Sequence, residues 1–184
     1  MKTLVCITGA SLVNLGLKLL DEISKTNDEI YAILSQNAKV VLKKENSLKF
    51  DETKYKNITF LNDNDISECV ASGSFGIKKT IVAPCSINTL AKISNGICDS
   101  LITRACAVAI KEQQKLVLGV REMPISTISL RQMSELASLG VVIAPPVLGS
   151  YAGFDSVEKI ENFIIGKWLD TLGIKHEIYK RWDG

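Results

Sequence analysis

Short apolar runs recur along this chain at Leu4 to Ile7, Ile30 to Leu34, Thr80 to Ala83, Leu116 to Val120 and Val141 to Ala144. Such runs mark strands covered on both faces, because a half-exposed strand alternates polar with apolar residues. Between the runs the apolar spacing becomes helical. Leu12, Leu15, Leu19 and Ile23 fall on one face, as do Leu101, Ala105, Val108 and Ala109. Met133, Leu136 and Ala137 continue the pattern, and Val157, Ile160, Ile164, Ile165, Trp168 and Leu172 mark a long final helix. Strand alternating with helix requires parallel pairing and right-handed crossovers. The expectation is an α/β fold: a three-layer, doubly wound, Rossmann-like parallel sheet. Ile58 to Leu61 adds a further short strand. With no linker and no repeat, the 184 residues read as a single domain spanning 1–184. Asn46 to Asn57 and "ASGSFG" (Ala71 to Gly76) read as surface loops, the second of them mobile.

Composition excludes several functions. A net charge of +2, with no Lys/Arg patch interleaved with aromatics, argues against nucleic acid. Lys43 and Lys44 read as a solvated helix face. Five cysteines without a C-x-x-C spacing read as reduced thiols, three of them in apolar surroundings, which suits a cytoplasmic protein. The single histidine, His176, leaves no metal site to propose. The apolar start is broken by Thr8, Gly9, Ser11 and Asn14, so it reads as a first core strand rather than a leader. "VVIAPPVLG" is interrupted by Pro145 and Pro146, so no membrane span is expected.

In a doubly wound sheet the ligand sits at the carboxyl ends of the strands. The turns there are Gly9-Ala10-Ser11, Ser35-Gln36-Asn37, Pro84 to Thr89, Arg121 to Pro124 and Pro145 to Tyr151. They are rich in hydroxyl and amide residues, and one carries an arginine. Each serine taken singly is an ordinary helix cap. Arg121, directly after a buried strand, calls for a partner at this edge. Together the turns suit an anionic ligand held at helix N-termini. A dinucleotide does not fit, because G-x-G-x-x-G is missing and Leu34-Ser35 stand where an acidic ribose ligand belongs.

"ITGAS", "LSQNA", "APCSINTLAKISNGICDSLITRA", "LVLGVREMPIS", "GVVIAPPVLGSY" and the final "RW" follow one another from Thr3 to Trp182. In order and spacing they resemble the UbiX-type flavin prenyltransferases of the wider flavoprotein family. The resemblance implies an FMN site formed by Gly9, Ala10, Ser11, Ser35, Ser86, Ile87, Asn88, Thr89 and Arg121. It implies transfer of a dimethylallyl group from dimethylallyl phosphate to N5 and C6 of reduced FMN, without a metal. The product is prenylated FMN, used by a UbiD-type decarboxylase in ubiquinone synthesis or aromatic acid breakdown. Tyr151 and Lys167 fall on the residues that hold the donor's phosphate, with Arg181 added to that pocket. Glu45 matches an acidic residue near the flavin and is the candidate base, with Ser11 and Tyr151 as the other candidate catalytic groups. Arg181 and Trp182 resemble a C-terminal pair that implies a tail, about 174–184, folded onto a neighbouring subunit. A trimer-based homododecamer is expected.

Leu12, Ala107 and Ser150 depart from the resembled pattern, and the proline common shortly after Tyr151 is missing. An FMN-dependent cysteine decarboxylase is the rival enzyme. Those enzymes use a histidine in the first half, and none precedes His176 here. A non-catalytic FMN-binding subunit is the second rival.

Overall fold

The structure, a computed structural model, describes residues 1–153 and 155–182. Six parallel strands form one sheet: β1 (Lys2–Ile7), β2 (Glu29–Leu34), β3 (Ile58–Leu61), β4 (Lys79–Cys85), β5 (Lys115–Val120) and β6 (Val142–Ile143). The helices are α1 (Val13–Ser24), α2 (Gln36–Asn46), α3 (Ile87–Ser94), α4 (Leu101–Lys111), α5 (Thr127–Ser138) and α6 (Val157–Leu172). The strand order is β3-β2-β1-β4-β5-β6. The chain winds outward from β1 to one edge, returns to β4 beside β1, and winds to the other edge.

Successive strand residues face opposite layers. Val5, Ile7, Ile30, Ala32 and Leu34 pack with α1, α2 and α6. Leu4, Cys6, Tyr31 and Ile33 pack with α3, α4 and α5. Both faces are therefore core, which is why the strands read as unbroken apolar runs. Cys6, Cys85 and Cys106 are buried free thiols, and burial pushes Cys85 up to about 12. Among the described residues no helix is long and apolar enough to cross a membrane.

Two expectations need correction. The last strand is shorter than Val141 to Ala144, since only Val142 and Ile143 are strand. Ala144 still donates its N–H to Leu118 O at 2.9 Å, but its carbonyl accepts from Trp168 Nε1 at 2.8 Å, and two prolines follow. The "ASGSFG" segment is a packed cover rather than a mobile loop. Single 3-10 turns at Cys69–Ala71 and Gly73–Phe75 bury Val70 and set the Phe75 ring 5.1 Å from that of Tyr31. The Lys2 ammonium lies 3.7 Å over the same ring. The stretch after α2 keeps its loop character around one 3-10 turn, Glu52–Lys54, pinned by the Phe50, Tyr55 and Phe60 rings.

Candidate active site at the sheet switch point

β1 and β4 are neighbours whose following helices leave for opposite faces, and a crevice opens between them. Buried Thr8 stitches its floor. The Thr8 Oγ1 hydroxyl donates to Pro84 O at 2.8 Å and accepts from Ser86 N at 2.9 Å. Ser35 N donates to Ile7 O, and Arg121 N to Cys85 O, both at 3.0 Å. These bonds fix four turns relative to one another. The resulting cleft of 630 Å³ brings together Gly9, Ala10, Ser11, Ser35, Ser86, Ile87, Asn88, Thr89 and Arg121, with Glu45 on its wall. That volume lies within the range of small-molecule sites.

The serines cap helices. Ser35 Oγ accepts from Ala38 N at 3.1 Å, and Ser86 Oγ accepts from Thr89 N at 3.2 Å. Capping occupies an acceptor site on each oxygen, so the hydroxyl hydrogens and the backbone N–H groups are the donors an anion can meet. The N–H groups of Gln36, Asn37, Ile87 and Asn88 open α2 and α3, where the helix supplies no partner and the dipole is positive. Arg121 is half-buried, and its guanidinium has no hydrogen-bond or ion-pair partner among the described residues. A guanidinium in that position lacks an acceptor that a bound phosphate or carbonyl would provide. Across the cleft, Ser11 Oγ donates to Glu45 Oε2 at 2.9 Å, joining the turn after β1 to the last turn of α2.

Gly9 is a glycine for reasons of packing. A Cβ there would stand 2.9 Å from the backbone carbon of Asn37 and closer still to its Cβ. Leu12, one of the departures noted above, sits at φ 74° and ψ 28°, the left-handed region that glycine occupies without strain.

Several lining residues escaped sequence reasoning, among them Thr8, Asp63, Asn64, Lys92 and Ser100. Asp63 follows β3 and fastens the start of α4: its Oδ1 accepts from Ile102 N at 3.0 Å, and its carbonyl accepts from Leu101 N at 2.8 Å. The turn after β3 is a strand end like the others, so the same reading could have found it. Lys92 is ion-paired with Asp99 at 2.7 Å.

Tyr151, Lys167 and Arg181 do not line this cleft. Tyr151 stands edge-on to Phe163, with ring centres 5.3 Å apart. Phe163, Lys167 and Asp170 share one face of α6 by helical spacing. The Arg181 guanidinium is engaged by the carboxylate of Asp170, at 2.8 and 3.1 Å. The segment from Ile174 to Trp182 runs back along its own α6, with Ile174 buried and Trp182 73% exposed. Asp183 and Gly184, the end of the expected tail, lie outside the described residues.

The flavoprotein family model matches residues 1–169. The flavin prenyltransferase UbiX of Campylobacter jejuni is 53% identical over 99% of this chain and 98% of its own length. The chain belongs to the flavoprotein family, among its UbiX flavin prenyltransferases. A crystal structure of AnUbiX (PadA1) in complex with FMN and dimethylallyl pyrophosphate is 36% identical, with a TM-score of 0.95 over 100% of this chain and 97% of that one. A dodecameric FMN-dependent UbiX-like decarboxylase from Escherichia coli O157:H7 is also 36% identical, with a TM-score of 0.94 over all of both chains.

Proposed function

We propose that the switch-point cleft binds FMN and that the chain is a flavin prenyltransferase, with dimethylallyl phosphate as donor. One observation supports this reading above the others. Two helix N-termini and a half-buried Arg121, whose guanidinium has no partner among the described residues, converge on a cleft of 630 Å³, a donor set suited to a mononucleotide with one phosphate. When bound, reduced FMN supplies the electron-rich N5 and C6 atoms that receive the allyl group.

The chain's own residues then have assignable roles. The N–H groups opening α2 and α3 hold phosphate and ribityl oxygens, and Arg121 supplies a fixed cation. Glu45 Oε2 accepts the proton released from C6, while the hydroxyl of Ser11 orients that carboxylate. Heterolysis of the C–O bond in the singly protonated donor, a monoanion, leaves an allyl cation and a hydrogen phosphate dianion. The Tyr151 hydroxyl gives it a hydrogen bond and the Lys167 ammonium gives it charge, so no metal is needed.

Lys167 is exposed on α6 and Tyr151 packs against Phe163 of that helix, and neither lines the cleft of its own chain. In this reading they serve the cleft of a neighbouring subunit within a homododecamer built from trimers. The exposed apolar side chains Met123, Ile128, Val147 and Leu148 suit burial between subunits. Buried reduced thiols suit a cytoplasmic setting. The product, prenylated FMN, passes to a UbiD-type decarboxylase.

Anaerobic incubation with reduced FMN and dimethylallyl phosphate, followed by mass spectrometry of the flavin, tests the assignment. A flavin heavier by one five-carbon allyl unit is expected. Tight FMN binding without that gain would favour a carrier and contradict it.

A further inference from the structure

Among the described residues the carboxylate of Asp170 is the most heavily engaged, and it lies outside the cleft. Its Oδ1 meets His176 Nε2 at 3.1 Å and accepts from Arg181 at 2.8 Å; its Oδ2 accepts from the Tyr179 hydroxyl at 2.7 Å and from Arg181 at 3.1 Å. The His176 side chain is almost fully buried, and its Nδ1 accepts from Ile178 N at 3.4 Å, which leaves Nε2 as the donor to Asp170. Every polar tail residue in this network ends on one side chain of α6.

The tail so fastened meets Tyr151. The Tyr151 ring lies edge-on between Phe163 of α6, at 5.3 Å, and Trp182 of the tail, at 5.8 Å. Phe163 in turn meets Tyr179 at 5.4 Å. Trp182 is 73% exposed, so burial does little to hold it; what fixes it is the two-pronged bond of Arg181, one residue before. Two glycines make the column possible. A Cβ on Gly166 would stand 2.5 Å from Tyr179 Cε1 and 2.9 Å from His176 Cε1. A Cβ on Gly149 would stand 2.5 Å from Phe163 Cζ. The tail and the Tyr151 turn thus approach α6 at the two places where it, or they, lack a side chain. Among the described residues the Tyr151 hydroxyl makes no hydrogen bond, so the ring is gripped while its polar end stays available.

We propose that Asp170 is a positioning residue for the donor-phosphate site: it clasps the C-terminal tail through His176, Tyr179 and Arg181, and the clasped tail holds Tyr151 in place through Trp182. The inference rests on the reading of Tyr151 as a phosphate ligand. Asp170 itself touches neither substrate.

Hydrogen exchange and steady-state kinetics on the full-length protein test it, using Asp170→Asn, Arg181→Gln and Tyr151→Phe. In Asp170→Asn, exchange should quicken in residues 174–182 and also in 147–153, a segment Asp170 does not touch. KM for dimethylallyl phosphate should rise about tenfold, as for one lost hydrogen bond to a charged group. The kcat and the FMN affinity should stay at parental values. Arg181→Gln, an exposed change, should move the same readouts in the same direction and carries the test where Asp170→Asn does not fold. Parental exchange in 147–153 and parental KM, alongside a raised KM in Tyr151→Phe, would overturn the clasp. An unchanged KM in Tyr151→Phe would instead overturn the phosphate reading, and exchange in 147–153 would still decide whether Asp170 holds the turn.

Discussion

Gly9→Ala separates two reasons for a glycine in the turn after β1. If Gly9 lets a phosphate approach the backbone, alanine should weaken FMN binding and leave the apoprotein's stability intact. The structure gives the other reason. The new Cβ would lie 2.9 Å from the backbone carbon of Asn37, so either α2 or the turn must shift. Overpacking of this kind costs about 1–3 kcal/mol. At about 2–4 °C per kcal/mol for a chain of this size, the apoprotein's Tm should fall by about 2–12 °C. Because the displaced segment is a wall of the cleft, FMN affinity should fall as well. Asn37→Gly in the Gly9→Ala background removes the facing Cβ and leaves the backbone contact. Differential scanning calorimetry of the four proteins in that cycle should therefore show partial recovery after the intrinsic cost of Asn37→Gly is subtracted. A Gly9→Ala apoprotein that melts within a degree of the parent would refute the packing explanation.

Other perturbations have equally definite expectations. Arg121→Ala should weaken FMN binding about 10–100-fold in a fluorescence titration, the range for a lost hydrogen bond to a charged group; parental affinity would remove Arg121 from the site. Ser86→Ala deletes the cap of α3 and should cost about 1 kcal/mol in urea unfolding of the apoprotein. Glu45→Gln should keep FMN bound while slowing product formation by about a hundredfold or more, and a parental rate would exclude it as the base. Burial opposes ionisation of Asp170, but hydrogen bonds from Arg181 and Tyr179 and the nearby positive charge outweigh it and hold the carboxyl at about 2. A depressed folded value means that its stabilisation is complete above about pH 4 and is lost as pH falls towards 2. Asp170→Asn should flatten that part of the Tm–pH curve, and parallel curves would contradict the assignment.

Much of this architecture was legible in the sequence, for a physical reason. A strand buried on both faces selects apolar residues, so β1, β2, β4 and β5 appear as largely apolar runs with Thr3 and Thr80 as buried exceptions, and even the edge strand at Ile58–Leu61 kept its pattern. The cleft was legible because ligand-bearing turns follow strand ends by topology. The sequence is less telling where tertiary contact outweighs local composition. Gly73 and Ser74 look like loop residues, yet Phe75 beside them finds Tyr31 and Lys2 and pins the segment. Arg181 carries no local sign that Asp170, eleven residues earlier, will take its charge. Lys167 sits on a helix whose spacing shows one buried face, and nothing in that spacing says which neighbour the other face meets.

The most direct test of the central claim is the position of the flavin phosphate in crystals of this protein soaked with FMN. The account predicts phosphate density at the N-termini of α2 and α3, within hydrogen-bonding reach of their free N–H groups, with the Arg121 guanidinium turned to the flavin. Flavin density elsewhere on the molecule, with the crevice between β1 and β4 empty in the same crystal, would contradict it.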